Sequence, residues 1–199
     1  MNTAIVILSA YLFGCFTTGY YLVRLLTGQD IRVLSSGNVG SRNVGRMLGA
    51  KGFIITFIGD AGKGMLAVWL TRQLGGDYFM QLIALTAVTA GHIWPIQLRC
   101  RGGKGFATFA GGLLILDPLI LLVGLLLCAV IYPLVRRTTK TGLIALAFSP
   151  VVMILERLRG NQALITADLA LYALLVAMVL FAHRSNIRAE FLKNTVHGG

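Results

Sequence analysis

Polar residues interrupt this chain only briefly. Between them lie apolar runs at about 3–26, 52–72, 78–98, 106–117, 118–135, 141–158 and 166–183. Runs of this length and purity predict helices that cross a bilayer. The fourth and fifth need separating. Phe106 to Val135 as one helix would be ~45 Å long, too much for a ~30 Å hydrocarbon core without a large tilt. Asp117-Pro118 is the expected break, because proline removes a donor and disfavours helix at the residue before it. The 106–117 piece is then short, suited to a half-buried or re-entrant position. The pattern predicts an all-α integral membrane protein of about seven transmembrane helices, one or two of them short, forming a single membrane-embedded domain over 1–199.

Charge supports the break and sets an orientation. With seven passes, the loops around 27–51, 99–105, 136–141 and 184–199 share one side. They carry Arg32, Arg42, Arg46, Lys51, Arg99, Arg101, Lys104, Arg136, Arg137, Lys140, Arg184, Arg188 and Lys193, against Arg72, Arg157 and Arg159 on the other. Without the break, Arg136, Arg137 and Lys140 would change sides and the asymmetry would weaken. The positive-inside rule puts the rich loops and the C-terminus in the cytoplasm and the N-terminus outside. It also explains a net charge of +11 in a chain that is 56% apolar, without nucleic acid as a partner. The first run has no basic start and no small-residue exit, so a cleaved signal peptide is not expected. Three cysteines argue against a disulfide framework: Cys15 and Cys128 read as small core hydrophobes, while Cys100 sits between two arginines.

The chemistry concentrates in the basic loops. Gly91-His92 through Pro95 leads to Gly102-Gly103-Lys104-Gly105 and then Thr108. Glycine lets backbone N–H groups approach a ligand, a helix start adds a positive dipole end, and Arg99, Arg101 and Lys104 share the rim. An anion cradle for phosphate is the expectation. His92 is a candidate proton acceptor or phosphate donor, and Thr108, one turn past Lys104, a further hydroxyl. The loop Ser35-Ser36-Gly37-Asn38-Val39-Gly40-Ser41-Arg42-Asn43-Val44-Gly45-Arg46 has the composition of a flexible turn, yet its donor density fits a ligand loop better. Asp60 and Lys63 share a helical face three residues apart. Either they form a buried salt bridge, or Lys63 lines a polar pocket with Asp60 orienting it. After the last run comes His183-Arg184-Ser185-Asn186-Ile187-Arg188, a basic cluster able to meet acidic headgroups.

Sharper motifs are missing. Neither Gly-Lys pair has a glycine five positions earlier, where Phe57 and Leu98 stand, so a nucleotide P-loop is not expected. There is no zinc spacing of His and Cys and no Gly-x-Ser-x-Gly elbow. Seven acidic residues in all argue against a multi-carboxylate metal site, and with it a metal-dependent CDP-alcohol phosphotransferase.

Taken together these segments resemble the PlsY family, the bacterial acyl-phosphate:glycerol-3-phosphate acyltransferases. The family's motifs look like Ser-Gly-Asn-x-Gly-x-x-Asn-x-x-Arg, Asp-x-x-Lys-Gly, and Gly-His-x-x-Pro followed by Gly-Gly-Lys-Gly-x-Ala-Thr. They stand here at Ser36–Arg46, Asp60–Gly64, Gly91–Pro95 and Gly102–Thr108, and the tail is similar to the family's His-Arg-x-Asn-Ile ending. Arg42 stands where Thr is usual and Arg101 where Lys is usual. The resemblance implies a seven-helix bacterial inner-membrane enzyme with its site facing the cytoplasm. It would need no cofactor and no metal, and would move a fatty acyl group from acyl phosphate to the 1-hydroxyl of glycerol 3-phosphate. His92 and Lys104 are then the catalytic candidates. Ser35, Ser36, Gly37, Asn38, Gly40, Arg42, Asn43, Arg46, Asp60, Lys63, Gly102, Gly103, Gly105, Thr108, His183, Asn186 and Arg188 are the substrate-binding ones. The His-x4-Asp pair of soluble-type acyltransferases is absent, since Gln97 follows His92 at that spacing. Either His92 or a phosphate oxygen of the donor would take the hydroxyl proton. An organic-phosphate transporter and a structural lipid-binding subunit are the rival readings; a transporter would be expected to show repeated half-helices about a midplane site.

Overall fold

A computed structural model describes residues 2–161 and 166–192. Lys193, counted in the basic flank, lies outside them. The described residues are helical and contain no strand. They divide into two compact units, residues 1–116 and 117–199, taken in turn.

The first unit holds α1 (Thr3–Cys15), α2 (Thr18–Thr27), α3 (Ser41–Gln73), α4 (Tyr78–Ile93) and α5 (Phe106–Leu116). The run expected as one helix over 3–26 is broken: Phe16 and Thr17 are extended, and α2 restarts at Thr18. The expected loop 27–51 is partly helical, because α3 begins at Ser41 and is interrupted at Gly49, whose φ of 69° is left-handed. Beyond that break Thr56, Asp60, Lys63, Gly64, Ala67, Val68 and Thr71 form one buried stripe at helical spacing. The stripe is polar at its centre, which already marks it as more than core.

Small residues let these helices meet backbone to backbone. A Cβ at Gly64 would overlap the Thr108 carbonyl, and one at Gly111 the Ala61 carbonyl, so α3 and α5 touch along their main chains. Gly14 and Gly91 do the same for α1 and α4, against the carbonyls of Val88 and Tyr11. Close backbone approach through small residues is how helices gain packing where lipid removes the hydrophobic drive between them. Beside this, Val23, Ile31, Val39 and Val44 make a small core under the 35–46 loop.

The second unit begins at the expected break. Pro118 opens α6 (Pro118–Val135), and Asp117 caps it by accepting from the Ile120 amide at 3.2 Å. Then come α7 (Thr138–Arg159), α8 (Ala167–Ala182) and α9 (Arg184–Ile187). An Arg157–Asp168 ion pair joins α7 to α8, and Arg137 pairs with Glu190 at 3.2 Å.

Among the described residues, five runs are long and apolar enough to cross a membrane: Thr3–Thr27 across its break, Ser41–Gln73, Tyr78–Leu98, Pro118–Val135 and Thr138–Arg159. A sixth is Ala167–Ala182 with Arg184–Phe191, bent by 64°. The remaining candidate of the expected seven is α5, at 11 residues and ~16 Å too short for a span, as a piece cut off at Asp117-Pro118 had to be.

Candidate active site

At the centre of the first unit, Asp60, Lys63 and His92 are buried together. Lys63 Nζ lies 3.2 Å from Asp60 Oδ1 and 2.8 Å from His92 Nδ1, and His92 Nδ1 is 3.5 Å from the same carboxylate oxygen. The side chains of Lys63 and His92 are 4% exposed and that of Asp60 is 2%. The carboxylate and the ammonium make the group neutral as a pair, which is what allows charge at this depth.

The broken first run completes the network. Unwinding at Phe16–Thr17 frees main-chain groups that a straight helix would pair internally. Lys63 Nζ donates to the Gly14 carbonyl at 3.0 Å and the Phe16 carbonyl at 2.8 Å. Gln97 Nε2 donates to the Cys15 carbonyl at 2.5 Å, and the Thr18 amide donates to Asp60 Oδ1 at 3.3 Å. Three consecutive carbonyls and one amide of the break are thus satisfied by side chains 42 to 82 residues away.

His92 ends α4, and the turn that follows folds back over it. The Gly102 amide donates to the Ile93 carbonyl at 3.1 Å and the Gly103 amide to the His92 carbonyl at 3.0 Å. Arg99 and Cys100 take left-handed φ of 55° and 57° to reverse the chain. Gly103 lies directly on the imidazole: a Cβ there would overlap Nε2. Lys104, half-buried, follows it, and Gly105 (φ 80°) leads into α5. Thr108 is buried within the α3–α5 contact.

The 35–46 loop is organised by Asn43. Its side chain is buried, donates Nδ2 to the Asn38 carbonyl at 2.9 Å and the Leu34 carbonyl at 3.3 Å, and accepts from the Ser36 amide at 3.3 Å. Gly37 (φ 68°) closes the turn by donating its amide to Leu34, and Gly40 precedes the first turn of α3. Ser35, Ser36, Arg42 and Arg46 are exposed on this frame, with Asn38 half-buried. A second tie holds the loop's base. Arg32 pairs with Asp30 at 2.6 Å, donates Nη1 to the Leu98 carbonyl at 2.8 Å and lies 5.1 Å from the centre of the Tyr20 ring. The hydrogen-bonded Arg32 guanidinium holds the Asp30 carboxyl below its ordinary range.

In the second unit, His183 is buried at the end of α8 and donates Nδ1–H to the Val179 carbonyl at 2.8 Å, while Asn186 is half-buried and Arg188 exposed.

With this geometry in view, comparison decides the family. The family model described as glycerol-3-phosphate acyltransferase matches residues 4–193. The chain belongs to the glycerol-3-phosphate acyltransferase family. Glycerol-3-phosphate acyltransferase 1 of Desulfitobacterium hafniense is 40% identical over 189 residues, covering 95% of this chain and 91% of that protein. Its namesake from Bacillus cereus is also 40% identical, over 178 residues, covering 89% and 94%. The crystal structure of PlsY, an integral membrane glycerol 3-phosphate acyltransferase, matches in its glycerol 3-phosphate form with a TM-score of 0.82 and 27% identity, covering 98% of this chain and 94% of that one. Its lysophosphatidic acid form gives 0.79 and 26% over the same shares. The present chain is therefore a multi-pass membrane enzyme, an acyltransferase.

For this acyltransferase, several of the expected ligands also have partners within the protein. Asn43 was expected to hold phosphate, but its side-chain donors and acceptor are engaged by the loop. The amides of Gly102 and Gly103 were expected to cradle an anion, but both cap α4. Lys63 was expected to salt-bridge or to line a pocket; it bridges, and four protein acceptors surround its three N–H bonds. Asp60 accepts from Lys63 and from the Thr18 amide. Reading residue types missed Arg32, Asp30, Gln97 and the break itself. A faint signal existed in Gly14-Cys15-Phe16-Thr17-Thr18-Gly19, where weak helix formers crowd together.

Proposed function

We propose that this chain is a glycerol-3-phosphate 1-O-acyltransferase that draws its acyl group from acyl phosphate, at the cytoplasmic face of the bacterial inner membrane. The observation that carries the reading is the convergence in one unit of Asp60–Lys63, His92 and the Gly102–Lys104 turn, with Arg32 tying the base of the 35–46 loop to Leu98. This arrangement fixes the turn that carries Lys104 against His92. Such a frame suits a donor whose leaving group carries negative charge, because positive groups placed in advance stabilise charge as it develops.

The reaction balances without a cofactor. The acceptor's 1-hydroxyl oxygen bonds to the acyl carbon, and the bond from that carbon to the bridging phosphate oxygen breaks with its electron pair. The hydroxyl proton ends on the released phosphate, and lysophosphatidic acid is the other product. Lys104 neutralises charge on the phosphate and the carbonyl oxygen. Ser35, Ser36, Arg42 and Arg46, exposed on the Asn43 frame, supply further donors for the phosphate-bearing substrates. Asn186 and Arg188 are acceptor ligands by the family resemblance alone. That the family match runs through both units, from 4 to 193, supports their working as one catalytic domain. Holding both substrates in position supplies much of the acceleration by proximity. The transporter reading has no support among relatives that are named acyltransferases.

The donor is tested by supplying purified enzyme and labelled glycerol 3-phosphate with either palmitoyl phosphate or palmitoyl-CoA. Labelled lysophosphatidic acid is expected with the acyl phosphate only. Equal product from the thioester would overturn the donor assignment.

A further inference from the structure

We propose that Asp60 and Lys63 are positioning residues that fix His92 as the neutral Nε2–H tautomer, so that the imidazole acts as a hydrogen-bond donor rather than as a base. The protons available around Lys63 Nζ decide the tautomer. The Gly14 and Phe16 carbonyls have only lone pairs to offer and take two of the three Nζ N–H bonds, while the Asp60 carboxylate faces Nζ as its counter-ion. Nδ1 of His92, at 2.8 Å, is the fourth neighbour. One mobile proton belongs to the amine or to the ring. An amine is the stronger base by about four pK units, and the carboxylate stands nearer Nζ (3.2 Å) than Nδ1 (3.5 Å). The proton therefore rests on Lys63, and Nδ1 accepts. A neutral ring with an accepting Nδ1 carries its hydrogen on Nε2.

Nε2 is the atom that Gly103 overlies, one residue from Lys104. The donor is consequently aimed at the Gly102–Lys104 turn, beside the one lysine proposed to meet a phosphate. An anionic oxygen held at Lys104 is the ligand chemistry that such a donor recognises. The ring has no lone pair left for a hydroxyl proton. A ring protonated on both nitrogens would point Nδ1–H at an ammonium, which accepts nothing. Gly103 has to be glycine for the same reason, since any side chain there displaces Nε2.

This inference rests on the acyltransferase reading for its meaning but not for its test. The protein would be labelled with 15N-histidine in detergent or lipid, and the His92 signals identified by their loss in His92→Gln; the chain has three histidines in all. At neutral pH the expected spectrum has a protonated Nε2 and an unprotonated Nδ1. Lys63→Arg, which keeps a donor, is expected to keep that pattern. Lys63→Met is expected to move a proton to Nδ1, toward Asp60, and to lower phosphate release at least tenfold. If Lys63→Met does not fold, the native and Lys63→Arg spectra still decide. A native ring protonated at Nδ1, or a pattern unchanged in a folded Lys63→Met, overturns the proposal. Failure of acyl transfer would leave the tautomer where it is, so the two failures are distinguishable.

Discussion

Asp30 and Arg32 lie close together in sequence and reach far in space: through the Leu98 carbonyl they bind the base of the 35–46 loop to the turn after α4. The folded-state carboxyl of Asp30 is held below its ordinary value, chiefly by the Arg32 hydrogen bonds. Its contribution is then complete above the unfolded value near 4 and is lost as pH falls through the lower folded one. Asp30→Asn is expected to lower thermal stability by about 1 kcal/mol at pH 7. The difference from the parent should be constant from pH 5 to 8 and shrink below pH 4, which thermal melts in detergent at several pH values will read. A difference that grows on acidification would refute the assignment. Residue types made most of this site visible in the sequence, but not their occupancy. Asn43 was recognisable as a polar group in a donor-rich loop, whereas its saturation by Leu34, Asn38 and Ser36 depends on the loop's path. Asp60 and Lys63 were recognisable as a pair from their spacing, whereas the Gly14 and Phe16 carbonyls are contributed by a distant helix break.

Helices here are placed by what they lack. Gly64 and Gly62 lie two residues apart on α3, and residue type and helical spacing alone do not say which one meets a neighbouring helix. In the structure, a Cβ at Gly64 overlaps the Thr108 carbonyl, while one at Gly62 meets no described atom within 4 Å. Gly64→Ala must push α5 away and is expected to destabilise by about 1–3 kcal/mol or more, because backbone cannot yield as a side chain can. Gly62→Ala should be neutral or stabilising by up to about 1 kcal/mol, through helix propensity. Melting temperatures of the two variants in the same detergent make the comparison, and equal effects would contradict the packing. The Asp117-Pro118 break was legible because a cap and a proline are local signals. The Phe16–Thr17 break was not. Its apolar pattern runs on unbroken, and what stabilises the unwound turn is capture by Lys63 and Gln97.

At the scale of the whole molecule, the basic loops predict which side of the membrane the turn before Gly102 faces. Cys100 offers a direct handle on that side. It is exposed in the turn before Gly102, whereas Cys15 is buried and Cys128 half-buried. A membrane-impermeant maleimide is expected to label Cys100 in inverted inner-membrane vesicles and not in intact spheroplasts. The reverse pattern would place the turn outside and overturn the orientation read from the arginines and lysines. The chemistry itself turns on Lys104. Purified protein would be given palmitoyl phosphate and glycerol 3-phosphate, and phosphate release followed beside Lys104→Ala. One phosphate is expected for each lysophosphatidic acid formed, with turnover falling at least about a hundredfold in the variant, a loss typical of removing one group that stabilises developing charge. No release from the parent, or release indifferent to Lys104, would contradict it.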